Sequence, residues 1–202
     1  MNPGTKTRRH FPQRRRFLTG LRSIGADKRA VTAIEFAMIL PFMLILLIGM
    51  EEVTGTLDHD RKVSRIANSV ADLVAQGQTL TPADLKAMLD IGGKIIDPYP
   101  DTDLETIVAS VTFDDEGTPA VDWSYSSKGG AAWPKGSKPP IELPETVAVP
   151  NSSIVLAQAN LKYVPTFSGM FTTYFARESS IDLSDSYYLR PRLTDTVKCP
   201  AC

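Results

Sequence analysis

The sequence is short of the residues that most catalysis uses. Its 202 residues include two histidines and two cysteines. His10 lies in a basic N-terminal arm, which leaves His59, in "DHD" (Asp58–Asp60), for the rest of the chain. One imidazole flanked by acids points its ligands in several directions around a helix, whereas a zinc site needs three or four converging donors. We therefore expect a solvated surface there and no metal. A serine hydrolase would have to use His59, and no Gly-x-Ser-x-Gly elbow accompanies it. "KGSKPP" lacks the glycine spacing of a phosphate-cradling loop and runs into prolines. Asp114 and Asp115 fall in an expected turn, where acids are ordinary. The residues thus point away from an enzyme and call for no cofactor. The two cysteines form a terminal "CPAC". In an oxidising compartment, a disulfide between Cys199 and Cys202 is the leading expectation, ahead of a redox pair or inert thiols.

Charge of one sign is scarce at the start. Residues 1–30 hold nine Lys/Arg and a single acid, Asp27, for a net +8. The remaining 172 residues hold 13 Lys/Arg and 22 Asp/Glu, for a net −9. A basic arm of this kind meets nucleic acid or a membrane surface. The segment after it favours the membrane. Phe36–Met50 is fifteen residues without a charge, and Val31–Met50 is twenty with Glu35 as its one charge. Twenty helical residues span about 30 Å, the thickness of a bilayer's hydrocarbon core. Basic residues before the run and Glu51 and Glu52 after it fit the positive-inside rule. The expected organisation is a cytoplasmic leader over 1–30, a transmembrane helix over 31–50 and an exported domain over 51–202. Nucleic acid has little support as a partner, because the exported part is acidic.

Two other export signals fit less well. "RRRFLTG" (Arg14–Gly20) has twin-arginine character, but Arg22, Asp27, Lys28 and Arg29 separate it from the apolar run. A secretory signal would need a small-x-small cleavage site just after the run, and none is there. Pro41 predicts a kink, and Gly49 permits close helix approach.

Glu35 is the residue to explain, because charged groups at a membrane-helix centre cost roughly 2.5–3.5 kcal/mol. A basic leader, a small residue, four more residues and then Glu-Phe at the head of an apolar helix resembles a prepilin. More narrowly, "AVTAIEFAMILPFMLILLIGMEE" is similar to the opening of the TadE-like (TadE/TadG) proteins of tight-adherence (Tad/Flp) pilus systems. "LKYVPTF" (Leu161–Phe167) and "SYYLRPR" (Ser186–Arg192) resemble later segments of that group more faintly. The resemblance implies a pseudopilin-like protein of the bacterial inner membrane with a periplasmic domain. It implies a membrane peptidase that cuts between Ala30 and Val31, making Glu35 the fifth residue and Phe36 the sixth. It further implies that Glu35 pairs with the new amine of a neighbouring subunit, since a buried charge needs a partner. The implied partners are lipid, other pilins, Tad assembly components and a prepilin peptidase. Such peptidases prefer Gly before the cut, and this chain has Ala30. Gly25 is no substitute, because a cut after it would put Ala30 fifth. An uncleaved single-pass anchor displaying a binding or sensing domain is the alternative. A membrane-tethered exported enzyme, its site covered by the long 127–152 loop, is a further one.

The exported part reads as α+β, with the long N-terminal helix extending outward onto a small antiparallel sheet of about four strands. Val63, Ile66, Ala67, Val70, Leu73 and Val74 form a helical stripe. The helix is expected to loosen at Gly55 and to end by Gly77. Thr81, Pro82 and Asp84 predict a capped second helix reaching about Leu89. "ETIVASVTF" and "PAVDWSYS" predict a hairpin turning at Glu116-Gly117. Residues 127–152 carry too many prolines and glycines for regular structure. Trp123, Tyr125 and Trp133 stand near that loop; either they contact a partner or at least one of Trp123 and Tyr125 alternates into the core. "SIVLAQANLKYV" and "SSIDLSDSYYLR" predict two further strands, each ended by proline.

Overall fold

A computed structural model describes residues 28–168 and 180–202, with side chains from Val31 onward. The basic leader up to residue 27, with "RRRFLTG" and His10, lies outside the described residues. The order of elements is α1 (Lys28–Ala75), α2 (Pro82–Ile96), β1 (Leu104–Phe113), β2 (Pro119–Ser126), β3 (Ser153–Tyr163) and β4 (Ile181–Leu189). The class is α+β. Contacts divide the chain into two units, with the boundary between Met50 and Glu51.

α1 is one helix of 48 residues. Pro41 sits inside it without ending it. Gly55 does not interrupt it either, contrary to expectation. The glycine there serves a close approach: a Cβ would lie 2.8 Å from the Tyr163 hydroxyl. Further along, Val63, Ile66, Ala67, Val70, Ala71 and Val74 are fully buried. The helix ends at Ala75, and the Gly77 amide closes it by donating to the Val74 carbonyl at 3.0 Å.

α2 opens on a reciprocal cap. The Thr81 hydroxyl accepts from the Asp84 amide, and the Asp84 carboxylate accepts from the Thr81 amide at 2.9 Å. The Thr81 hydroxyl and then its amide hold the Asp84 carboxyl below its ordinary value. The helix continues about two turns past Leu89, to Ile96. It passes through Gly92 and Gly93, which lower helix propensity but let neighbours come near. A Cβ on Gly92 would lie 3.1 Å from Ile66, and one on Gly93 2.8 Å from the Asp101 carboxylate.

The sheet is antiparallel throughout, in the order β2-β1-β3-β4. The β1–β2 turn holds Gly117 at φ +82, a conformation that favours glycine. Asp114 fixes this turn through its Oδ1, which accepts from the amides of Glu116 and Thr118 at 3.0 and 2.7 Å. The register shifts between Ser110 and Val111, where Asp122 is the extra residue on β2. Its carboxylate accepts from the hydroxyls of Ser110 and Thr112 at 3.1 and 2.6 Å.

Both faces of the sheet are covered. Val108, Trp123, Val155, Ala157, Ala159 and Leu161 pack with the buried stripe of α1 and with Leu85, Leu89 and Ile96 of α2. On the other face Ile107, Val111, Phe113, Val121, Ile154 and Leu156 pack with Trp133. Ile141, Leu143, Val147 and Ala148 of the 127–152 segment complete that second core. The segment has no helix or strand, yet it is a packed cover. Trp123 and Trp133 are both buried, on opposite faces, and Tyr125 is half-buried beside the first core.

The C-terminal residues tie these parts together. The Lys198 carbonyl accepts from the Leu80 amide at 2.8 Å, and the Lys198 amide donates to the Gln78 carbonyl at 3.0 Å. The Arg192 amide donates to the Ala75 carbonyl at 2.9 Å. The Trp123 indole donates to the Val197 carbonyl at 2.8 Å, fully within the core. Cys199 and Cys202 form a disulfide just beyond. Trp123→Phe leaves the Val197 carbonyl unsatisfied, which costs about 1–3 kcal/mol in addition to the lost ring volume. A lower urea midpoint for this variant, with Tyr125→Phe close to the parent, is the expected result. Equal midpoints for Trp123→Phe and the parent would mean the strap does not depend on that bond.

Candidate functional site

The first candidate is the apolar half of α1. Its side chains find little cover among the described residues: Phe36 is 61% exposed, Phe42 69% and Leu46 73%. The helix is long and apolar enough to cross a membrane, and none of its most apolar window is buried. Soluble helices of this length carry a polar face. A single-pass membrane anchor is compatible with this helix. Val31, Glu35 and Phe36 are all exposed on its first turns. The Ala30–Val31 bond lies inside the helix, which opens at Lys28.

The second candidate begins directly after that run. Glu51, Gly55 and His59 succeed one another at four-residue spacing and so share one face of α1. They line a cleft of about 270 Å³ with Tyr99, Asp103 and Tyr163 among its other walls. His59 is 5% exposed, which corrects the expectation of a solvated surface for the histidine, while Asp60 beside it is exposed as expected. Its ring lies between two tyrosines, with centroids 4.0 Å from Tyr99 and 4.1 Å from Tyr163. Its Nδ1 is 2.7 Å from the Gly55 carbonyl. A carbonyl can only accept, so this contact makes Nδ1 the protonated nitrogen and leaves Nε2 as the ring's other polar atom. Among the described residues no three His, Cys, Asp or Glu side chains are grouped to hold a metal.

Lys62, one turn on, secures the site from behind. Its ammonium donates to the carbonyls of Ile96 and Asp97 at 3.3 and 2.9 Å, which places a cation at the C-terminus of α2. It also stands 4.4 Å from the centre of the Tyr99 ring. The Tyr99 hydroxyl reaches the Asp58 carboxylate at 3.4 Å. Burial and then the Asp58 charge push the Tyr99 phenol above its ordinary value. Burial also raises Tyr163, followed by Tyr99 and the carboxylates of Glu52 and Glu51.

The residues singled out from sequence therefore fall in separate places. Glu35 and Phe36 lie on the exposed apolar helix, and the Cys199–Cys202 disulfide lies at the C-terminal strap. The structure brings neither group to the His59 cleft. Tyr163 belongs to the "LKYVPTF" segment, whose Leu161, Lys162, Val164 and Thr166 also line the cleft, whereas Tyr99 and Lys62 had no signal in the sequence beyond their type. Comparison with family models, with curated proteins and with solved structures finds no match for this chain.

The raised phenols give a pH prediction. Where a folded phenol ionises above about 10, the folded state holds more protons than the unfolded one, so stability falls as pH rises past that value. Alkaline absorbance titration should show late-ionising components, one lost in Tyr99→Phe and one in Tyr163→Phe. Absorbance curves unchanged by either substitution beyond the loss of one ordinary phenol would contradict the raised phenols of the stack.

Proposed function

We infer that the protein is a TadE-like minor pilin or pseudopilin that helps assemble a Tad-type adhesive pilus. The observation that carries this reading is α1 itself. One uninterrupted helix has an exposed apolar first part with Glu35 near its head, and its last turns carry the stripe that packs on an antiparallel sheet. The motifs "AVTAIEF" and "LP" within that helix add the family resemblance. In this reading the helix crosses the inner membrane, residues before it are cytoplasmic and the α+β domain is periplasmic. The role is physical, without catalysis: the helix enters a bundle of other pilins or assembly components.

A prepilin peptidase would cut between Ala30 and Val31. The new amine at Val31 would be buried as helices pack, and Glu35 of a neighbouring subunit would pair with it. Removing one partner of a buried ion pair costs about 3–5 kcal/mol, because it leaves the other charge uncompensated. Before assembly, Glu35 lies two turns or less from the start of the span, where a carboxylate is near the interface and near the positive end of the helix dipole.

The uncleaved anchor is the second reading, and two observations favour it. Ala30 stands where such peptidases prefer glycine, and the Ala30–Val31 bond is within helix, which a peptidase would have to unwind. Glu35→Ala in the cells that make the protein distinguishes the readings. The pilin reading predicts normal membrane insertion and stability but loss of most surface pili, by electron microscopy and shear yield. Unchanged piliation would remove the assembly role of Glu35 and leave the anchor.

A further inference from the structure

We propose that the His59 cleft holds the headgroup of a zwitterionic, primary-amine phospholipid, the phosphatidylethanolamine class. This rests on the membrane-spanning reading of α1, though not on pilus assembly or on cleavage at Ala30.

Position is the first ground. Glu51 of the cleft is the residue that follows Met50, the last of the apolar run. His59 is eight residues further along the same helix, a rise of about 12 Å. The covalent chain alone keeps the cleft within reach of a bilayer's headgroup layer. The walls also have the composition of an interface: Tyr99 and Tyr163 are amphipathic rings of the kind enriched at headgroup level. Val164 beside them is 54% exposed.

Size and charge are the second. Drug-sized ligands occupy roughly 300–1,000 Å³, and this cleft, at about 270 Å³, suits a headgroup better than a whole lipid. The charged side chains on its wall are Glu51, Asp103 and Lys162. Among the described residues none of the three is in an ion pair. Asp103 and Lys162 are held side by side by the Lys162 amide donating to the Asp103 carbonyl at 3.5 Å. Both signs of charge therefore border one cleft. Two carboxylates suit an ammonium, and the Lys162 ammonium suits a phosphate. The excess of carboxylates disfavours an anionic lipid. A trimethylammonium has no N–H to donate to them, which sets a choline headgroup below a primary amine. The stacked rings are committed to one another and to Lys62, so they form a wall without needing to move.

The test uses the full chain in nanodiscs of phosphatidylcholine doped with phosphatidylethanolamine or, separately, phosphatidylglycerol. Native mass spectrometry after detergent release reads which lipid stays bound. Selective retention of phosphatidylethanolamine is expected. It should fall about tenfold in Glu51→Gln/Asp103→Asn, the scale of one lost charge-assisted contact. Both residues are exposed, so the variant keeps the fold, checked by circular dichroism. Preferential retention of phosphatidylglycerol, equal retention of all three lipids, or retention unaffected by the double variant would each overturn the assignment. A chain that fails to enter nanodiscs at all would overturn the membrane reading along with it. Loss of piliation in Glu35→Ala alongside no lipid preference would overturn this inference and leave the pilus reading standing.

Discussion

An apolar helical surface that the described residues leave uncovered is the constraint on which the rest depends. From Val31 to Met50 the side chains of α1 are exposed on every side, with Ile48 half-buried. A run of that length in water would favour association; in hydrocarbon it would satisfy its own backbone groups along the helix except beside Pro41, with Glu35 the costly side chain. In the proposed function, one helix would serve two media. The same backbone that presents Phe36, Phe42 and Leu46 outward later presents Val63, Ile66 and Val70 to a close-packed core. No turn separates the two, so the side-chain pattern alone changes. The apolar ring narrows to a stripe, and Glu51 and Asp60 take the exposed positions.

The domain is built to hold the end of that helix. The sheet gives one face to α1 and α2 and closes the other with an irregular segment. Lys62 ties α1 to the C-terminal carbonyls of α2, and the His59 ring meets Tyr99 and Tyr163 from two other parts of the chain. At the opposite end of the stripe, Arg192 and Lys198 bond to the backbone around Ala75 and Leu80. The disulfide closes only a short loop there, so chain entropy gains little from it. The strap is held instead by hydrogen bonds and by the buried Val197.

Much of this was legible in residue order. The stripe from Val63 to Val74, the Thr81 cap, the hairpin around Gly117 and the strands ended by Pro165 and Pro191 rest on local rules of period, capping and turn chemistry. The misreadings have one cause, tertiary contact that local rules cannot see. Gly55 looked like a weak point and is a contact point for Tyr163. α2 runs past the expected end near Leu89 through Gly92, whose neighbour Ile66 is remote in sequence. The prolines of 127–152 correctly excluded helix and strand, but they hid Ile141, Leu143 and Val147 as core residues. His59 looked solvated between two acids, since nothing near it announced two tyrosines 40 and 104 residues away.

The central functional claim, that this helix behaves as a pilin helix, turns on one covalent bond. The direct measurement is the N-terminus of the chain purified from native membranes, by intact mass and terminal sequencing. The proposed function predicts a chain that begins at Val31 and so carries a new amine four residues before Glu35. A chain that still begins at or near Met1 would contradict it and favour the uncleaved anchor. A start beyond Met50 would contradict both, because the membrane helix would then be absent from the mature protein.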